Sequence, residues 1–239
     1  MLTTEKIQQL ATNHQTTELN IRREYFQQLF LSYFYQQKET TGIYFKGGTA
    51  LRIIYNSPRF SEDLDFSSPQ SDVKTIEMAV ENTLHALEKE NVQVRLEDAS
   101  PTSGGYVAVI SFADDYQPIN IQLEISLRQG EKRGEVATIA SDFVLPYTLI
   151  GLSQEQLVEE KIQALLARKK PRDFYDLYFI LRKNLLPASE KNVLREALKT
   201  LRVVDINFEH ELKIFLPRSQ WAIIRDFKQT LEREIERFT

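Results

Sequence analysis

The residues best suited to do chemistry lie between positions 42 and 68, in the stretch GIYFKGGTALRIIYNSPRFSEDLDFSS. Its first half places Lys46, Gly47, Gly48 and Thr49 between a short apolar strand and a short helix. Two glycines let a backbone come close to a phosphate, and a helix N-terminus offers unpaired N–H donors. The Thr49 hydroxyl is a further donor. The same four residues also suit a plain tight turn with a threonine cap. The second half contains Asp63 and Asp65. Residues i and i+2 of a strand share a face, so the two carboxylates converge while Leu64 points the other way. Paired carboxylates repel one another, and a hard divalent cation such as Mg²⁺ relieves that repulsion while binding substrate phosphates. An isolated Asp-x-Asp is more often a solvated strand end. Thirteen residues lie between Thr49 and Asp63, room for one short helix and a turn. This brings a phosphate cradle beside a metal site.

A third carboxylate is required to hold a second metal and to help deprotonate an attacking hydroxyl. Glu124 is the leading candidate because it lies on the polar face of a cleanly alternating segment. Ile121, Leu123, Ile125 and Leu127 line one face, and Gln122, Glu124, Ser126 and Arg128 the other. A solvent-facing glutamate accounts for the pattern equally well. Asp114 and Asp115 compete, but sit in a turn-like segment before Pro118. In the C-terminal part, Lys161 stands on a helical row with Leu157 and Leu165. A buried ammonium needs an answering charge, which a triphosphate supplies; snorkelling from the row's edge is the structural alternative. Arg168, Lys169, Lys170 and Arg172 form the densest basic run, suited to a solvated loop or to an RNA backbone. Asp173 suits the first turn of a helix opened by Pro171, and Asp176 is spaced to pair with Arg172.

Elements that position these residues can be read from periodicity. Helices are expected over 5–38, 72–90, 153–168, 171–183, 189–201 and 218–238, with a short one through 50–54. Strands are expected at 43–45, 63–66, 92–96, 106–112 and 119–128, and 129–146 reads as a loop. The order predicts an α+β lobe over 1–150 with N-terminal helices, followed by a helical lobe over 151–239. The aromatics at 174, 175, 178 and 179 read as core. The chain has 239 residues, no cysteine, and three histidines too far apart for a zinc site. A net charge of −4 gives no global attraction to nucleic acid, so any basic surface must be local. Without an apolar leader or a bilayer-length apolar run, the expected location is the cytoplasm, with no membrane contact.

At GGT and SEDLDF the sequence resembles the AbiEii/AbiGii nucleotidyltransferase toxins. These are the toxin halves of type IV toxin–antitoxin and abortive-infection systems, in the DNA polymerase β-like superfamily. The resemblance spans about 42–182 and takes in Lys161 and the stretch Arg172-Asp173-Phe174-Tyr175-Asp176-Leu177. It implies a polymerase β-like lobe with a mixed sheet, and Mg²⁺ (or Mn²⁺) held by Asp63, Asp65 and Glu124. The third acidic position is Glu here, where the wider superfamily commonly has Asp. An NTP substrate is implied against Lys46, Gly47, Gly48, Thr49, Ser61, Lys161, Asp173 and Asp176. It further implies an RNA acceptor, the tRNA 3′ end, met by Arg168, Lys169, Lys170 and Arg172, and a cognate antitoxin. A related transferase acting on a small molecule or a protein, and a non-enzymatic nucleotide-binding module, are the competing expectations.

Overall fold

The computed structural model describes residues 1–69 and 71–238. They divide into two compact units, Met1–Asn56 with Phe60–Leu152, and Ser57–Arg59 with Ser153–Thr239.

The first unit opens with α1 (Thr4–Asn13) and α2 (Glu18–Phe34). The single helix expected over 5–38 is interrupted, because Gln15 turns left-handed (φ 53°) and Thr17 caps α2 by accepting from the Asn20 N–H. Then come β1 (Tyr44–Lys46), α3 (Gly47–Tyr55), β2 (Leu64–Ser67) and α4 (Val73–Lys89). Five further strands follow: β3 (Gln93–Thr102), β4 (Gly105–Ala113), β5 (Ile119–Ser126), β6 (Gly134–Ile139) and β7 (Tyr147–Leu152). The segment expected to be loop at 129–146 thus contains β6 and leads straight into β7. β6 shows no alternation because, as an edge strand, it is mostly exposed.

The strands form one mixed sheet in the order β3-β4-β5-β2-β1-β7-β6. β2 runs parallel to β5 and antiparallel to β1, and β1 runs parallel to β7. One face is packed with apolar side chains. Phe34 and Phe45 meet Phe66 with ring centroids 5.3 and 5.4 Å apart, and Phe26 stacks on Phe112 at 4.8 Å. Leu64, Leu123 and Ile125 are buried on the same face. Strict alternation therefore sends Asp65 and Glu124 to the opposite face.

The second unit is helical: α5 (Gln154–Arg168), α6 (Pro171–Arg182), α7 (Leu194–Val203), α8 (Phe208–Phe215), α9 (Trp221–Arg225) and α10 (Phe227–Glu236). α8 is an element the sequence reading lacks, and the helix expected over 218–238 breaks at Asp226. The core is aromatic. Phe227 stacks on Tyr175 (5.8 Å) and meets Phe208 (5.1 Å), which meets Phe174 edge-on (5.5 Å). The aromatics of α6 are packing residues, as expected.

Candidate active site

In the first unit the site is built on the central strands. Asp65 lies opposite Glu124 in the parallel β2–β5 pair and opposite Lys46 in the antiparallel β1–β2 pair. Asp63 stands one residue before β2, outside the regular strand. Asp65 is half-buried, whereas Glu124 is exposed and its carboxylate accepts from Gln122 Nε2 at 2.5 Å. Among the described residues, no three histidine, aspartate or glutamate side chains are drawn together closely enough to cage a metal ion. The donor chemistry nevertheless fits a hard cation. Two carboxylates occupy facing register positions, with a third on the chain entering the strand.

Gly47 supplies the second part of the site. It takes φ +83°, and a Cβ added there would land on the Asp65 carboxylate. The glycine is thus required both by backbone conformation and by the close approach of the carboxylate. Gly47→Ala is expected to displace Asp65 and reduce nucleotide transfer by at least about 10²-fold, the scale on which misplaced reacting groups act. A transfer rate within a few-fold of wild type would separate this glycine from the site.

Thr49 is not placed as expected. It is fully buried, and its hydroxyl donates to the Asp63 carbonyl at 2.5 Å. It braces the acidic segment, leaving only its backbone N–H available to a phosphate. Gly48 is buried beside it, and Lys46 and Ser61 are half-buried. Asp114, the rival carboxylate, is fully engaged elsewhere. It accepts from Arg22 Nε (2.9 Å) and Nη2 (2.6 Å), fixing the turn whose Tyr116 ring lies under the guanidinium.

Within the second unit, Lys161, Asp176 and Arg59 form a buried ionic cluster. Arg59 donates to Asp176 through Nε (2.8 Å) and Nη2 (2.9 Å), and Lys161 Nζ reaches Asp176 Oδ2 at 2.8 Å. Asp176 is 1% and Arg59 3% exposed. Burial pushes the Asp176 carboxyl up, but Arg59 and then Lys161 outweigh it and hold the pKa at about 2. Asp176 therefore turns to these two cations and not to Arg172. The Leu157–Lys161–Leu165 row is buried as expected, yet the answering charge is Asp176, from the next helix. The three side chains still sum to one positive charge. Lys161→Ala is now expected to lower the melting temperature by the equivalent of about 1–2 kcal/mol, because a buried carboxylate loses one of two partners. An unchanged or raised melting temperature would contradict this.

Asp173 is likewise structural in position. At 2% exposed, it accepts from the Lys170 N–H (3.2 Å) that opens α6 and from Arg168 Nη2 (2.6 Å). Arg168 is thereby tied down, while Lys169 and Lys170 are exposed and Arg172 half-buried. Arg59 was missed by the sequence reading. Its one signal is an arginine just after Pro58 in the same stretch as the acidic pair. Periodicity does not reveal long-range partners, and it likewise gives no sign of the buried, polar Gln27.

The fold has counterparts in two Helicobacter pylori crystal structures. One is of a protein assigned as a nucleotidyltransferase, with a TM-score of 0.61, 20% identity, and 93% of this chain and 99% of that one covered. The other is JHP933, with a TM-score of 0.62, 20% identity, and 93% and 95% covered. These likenesses define an α+β fold of the nucleotidyltransferase kind. The sequence model of the nucleotidyl transferase AbiEii toxins of type IV toxin–antitoxin systems matches residues 29–237, which takes in the segment from Lys46 to Asp176. The chain belongs to that family and is a nucleotidyltransferase toxin. No curated protein matches its sequence. Among the described residues no helix is long and apolar enough to cross a membrane.

Proposed function

We propose that this nucleotidyltransferase moves a nucleoside monophosphate from an NTP onto the 3′ end of tRNA, in the cytoplasm, and so blocks translation and growth until a cognate antitoxin opposes it. The observation that carries the reaction is the facing pair Asp65 and Glu124 beside the Gly47 backbone. In this reading Asp63, Asp65 and Glu124 hold Mg²⁺, with Mn²⁺ as a substitute, which neutralises phosphate charge as it develops. Gly47 and the N–H groups opening α3 cradle the phosphates. The acceptor hydroxyl oxygen attacks the α-phosphorus in line, forming one P–O bond as the bond to pyrophosphate breaks. Glu124 is the group that takes the hydroxyl proton.

The acceptor rests on the family and on Lys169, Lys170 and Arg172. A tRNA 3′ end is single-stranded, which leaves its phosphates and terminal hydroxyl open to such contacts. Replacing these three with Asn, Gln and Gln leaves the Arg168–Asp173 tie intact and keeps Lys169, at φ 55°, a residue that tolerates the left-handed region. The variant is expected to bind RNA more weakly, with the log–log salt slope shallower by about two, while NTP binding persists. Incubation with each labelled NTP, purified tRNA and Mg²⁺, read on a denaturing gel, tests the whole reading. Label in a small molecule or a protein, with none in tRNA, would replace the acceptor. No transfer to any acceptor would leave a nucleotide-binding module.

A further inference from the structure

The segment from Asn56 to Asp63 joins α3 to β2 without regular structure, yet it delivers Asp63 and sets the register of Asp65. Its backbone is held by side chains. Gln27 Nε2, on α2, donates to the Ser61 carbonyl (3.1 Å) and the Glu62 carbonyl (2.9 Å). Thr49 then takes the Asp63 carbonyl. Three consecutive carbonyls therefore accept from side chains that are 1% or less exposed. The neighbours of Gln27 on α2 secure the same stretch. Arg23 reaches Glu62 (3.3 Å), and Glu24 holds Arg52, whose guanidinium covers the Phe60 ring at 4.0 Å.

Such a brace has a specific consequence at the start of a strand. Side chains alternate, so a slip of one residue on entering β2 would turn Asp65 into the core and Leu64 out of it. We propose that Gln27 is a positioning residue for the acidic pair: its buried amide fixes the Ser61 and Glu62 carbonyls, and through them the placement of Asp63 and Asp65. This rests on the reading that these carboxylates hold a divalent cation. The affinity of the protein for that cation then depends on a side chain that does not touch it.

The test is Mn²⁺ binding to the full-length protein, followed by loss of the free-ion EPR signal, in wild type, Asp65→Asn, Gln27→Met and Arg23→Met. Gln27→Met keeps the length and removes the donor. It is expected to raise the Mn²⁺ Kd about tenfold, the scale of lost outer-shell support. The Mg²⁺ concentration for half-maximal transfer should rise in parallel, with the NTP KM at saturating metal little changed. Arg23→Met, at a more exposed contact, should shift both readouts the same way by less, and it decides the matter alone if Gln27→Met does not fold. A lowered melting temperature with wild-type Mn²⁺ affinity in the folded variants would make the contacts merely structural and overturn the inference. Wild-type protein that binds no Mn²⁺, or binds it equally well as Asp65→Asn, would overturn the metal reading and this inference with it.

Discussion

Asp65→Asn is expected to reduce nucleotide transfer by roughly 10³-fold or more, with the fold retained. The side chain is half-buried at the centre of the sheet, faces Glu124 across β2–β5, and lies so close to Gly47 that no Cβ fits between them. Asparagine is nearly the same size, so packing survives while the negative charge is lost. Asp63→Asn is expected to act in the same direction. The measurements are single-turnover transfer and thermal melting. Transfer near the wild-type rate in either variant would remove that residue from the site.

The second large effect is expected at Asp176. Asp176→Asn leaves the buried Arg59 guanidinium and Lys161 ammonium without their carboxylate, a change that costs about 3–5 kcal/mol where a buried pair is broken. That is a large share of the ~5–15 kcal/mol that holds a domain folded. The effect also has a pH signature. The ordinary carboxyl value of 3.8 falls to about 2 in the folded protein. A depressed folded value contributes stability above the unfolded value, and that contribution is lost as pH falls through the folded one. The melting-temperature gap between wild type and Asp176→Asn should therefore be constant from neutral pH to about 4 and then narrow towards about 2. A gap that stays constant across that window would place the stabilisation elsewhere.

What the sequence makes legible follows from which forces are local. Alternation at 119–126 identifies β5 and the face of Glu124, because one side of that strand is packed against the core and the other is not. The glycine before α3 and the Asp-Leu-Asp spacing are legible because backbone conformation and strand periodicity act over two or three residues. β6 is illegible for the opposite reason, since an exposed edge strand is under no alternation pressure. The break between α1 and α2 is hidden because Gln15 adopts a left-handed conformation without glycine. Lys161 shows the middle case. Its buried row is plain from helical spacing, but the charge that answers it comes from Asp176, fifteen residues on, and from a cluster completed by Arg59. No window of sequence contains that cluster, and none contains the tie from Gln27 to the Ser61 and Glu62 carbonyls.

The strand order has a kinetic corollary. β2, at the middle of the sheet, finds β5 across some sixty residues, and β1 finds β7 across about a hundred. Pairings of that separation form slowly, because closure entropy is lost before contacts compensate it. On a ribosome the nascent chain presents Asp63 and Asp65 well before Glu124 exists, and β1 keeps one open edge until residue 152 has emerged. A product that stops short of residue 119 therefore carries two carboxylates without the third. In the proposed reading, the strand topology thus defers assembly of the three metal-holding carboxylates to late synthesis.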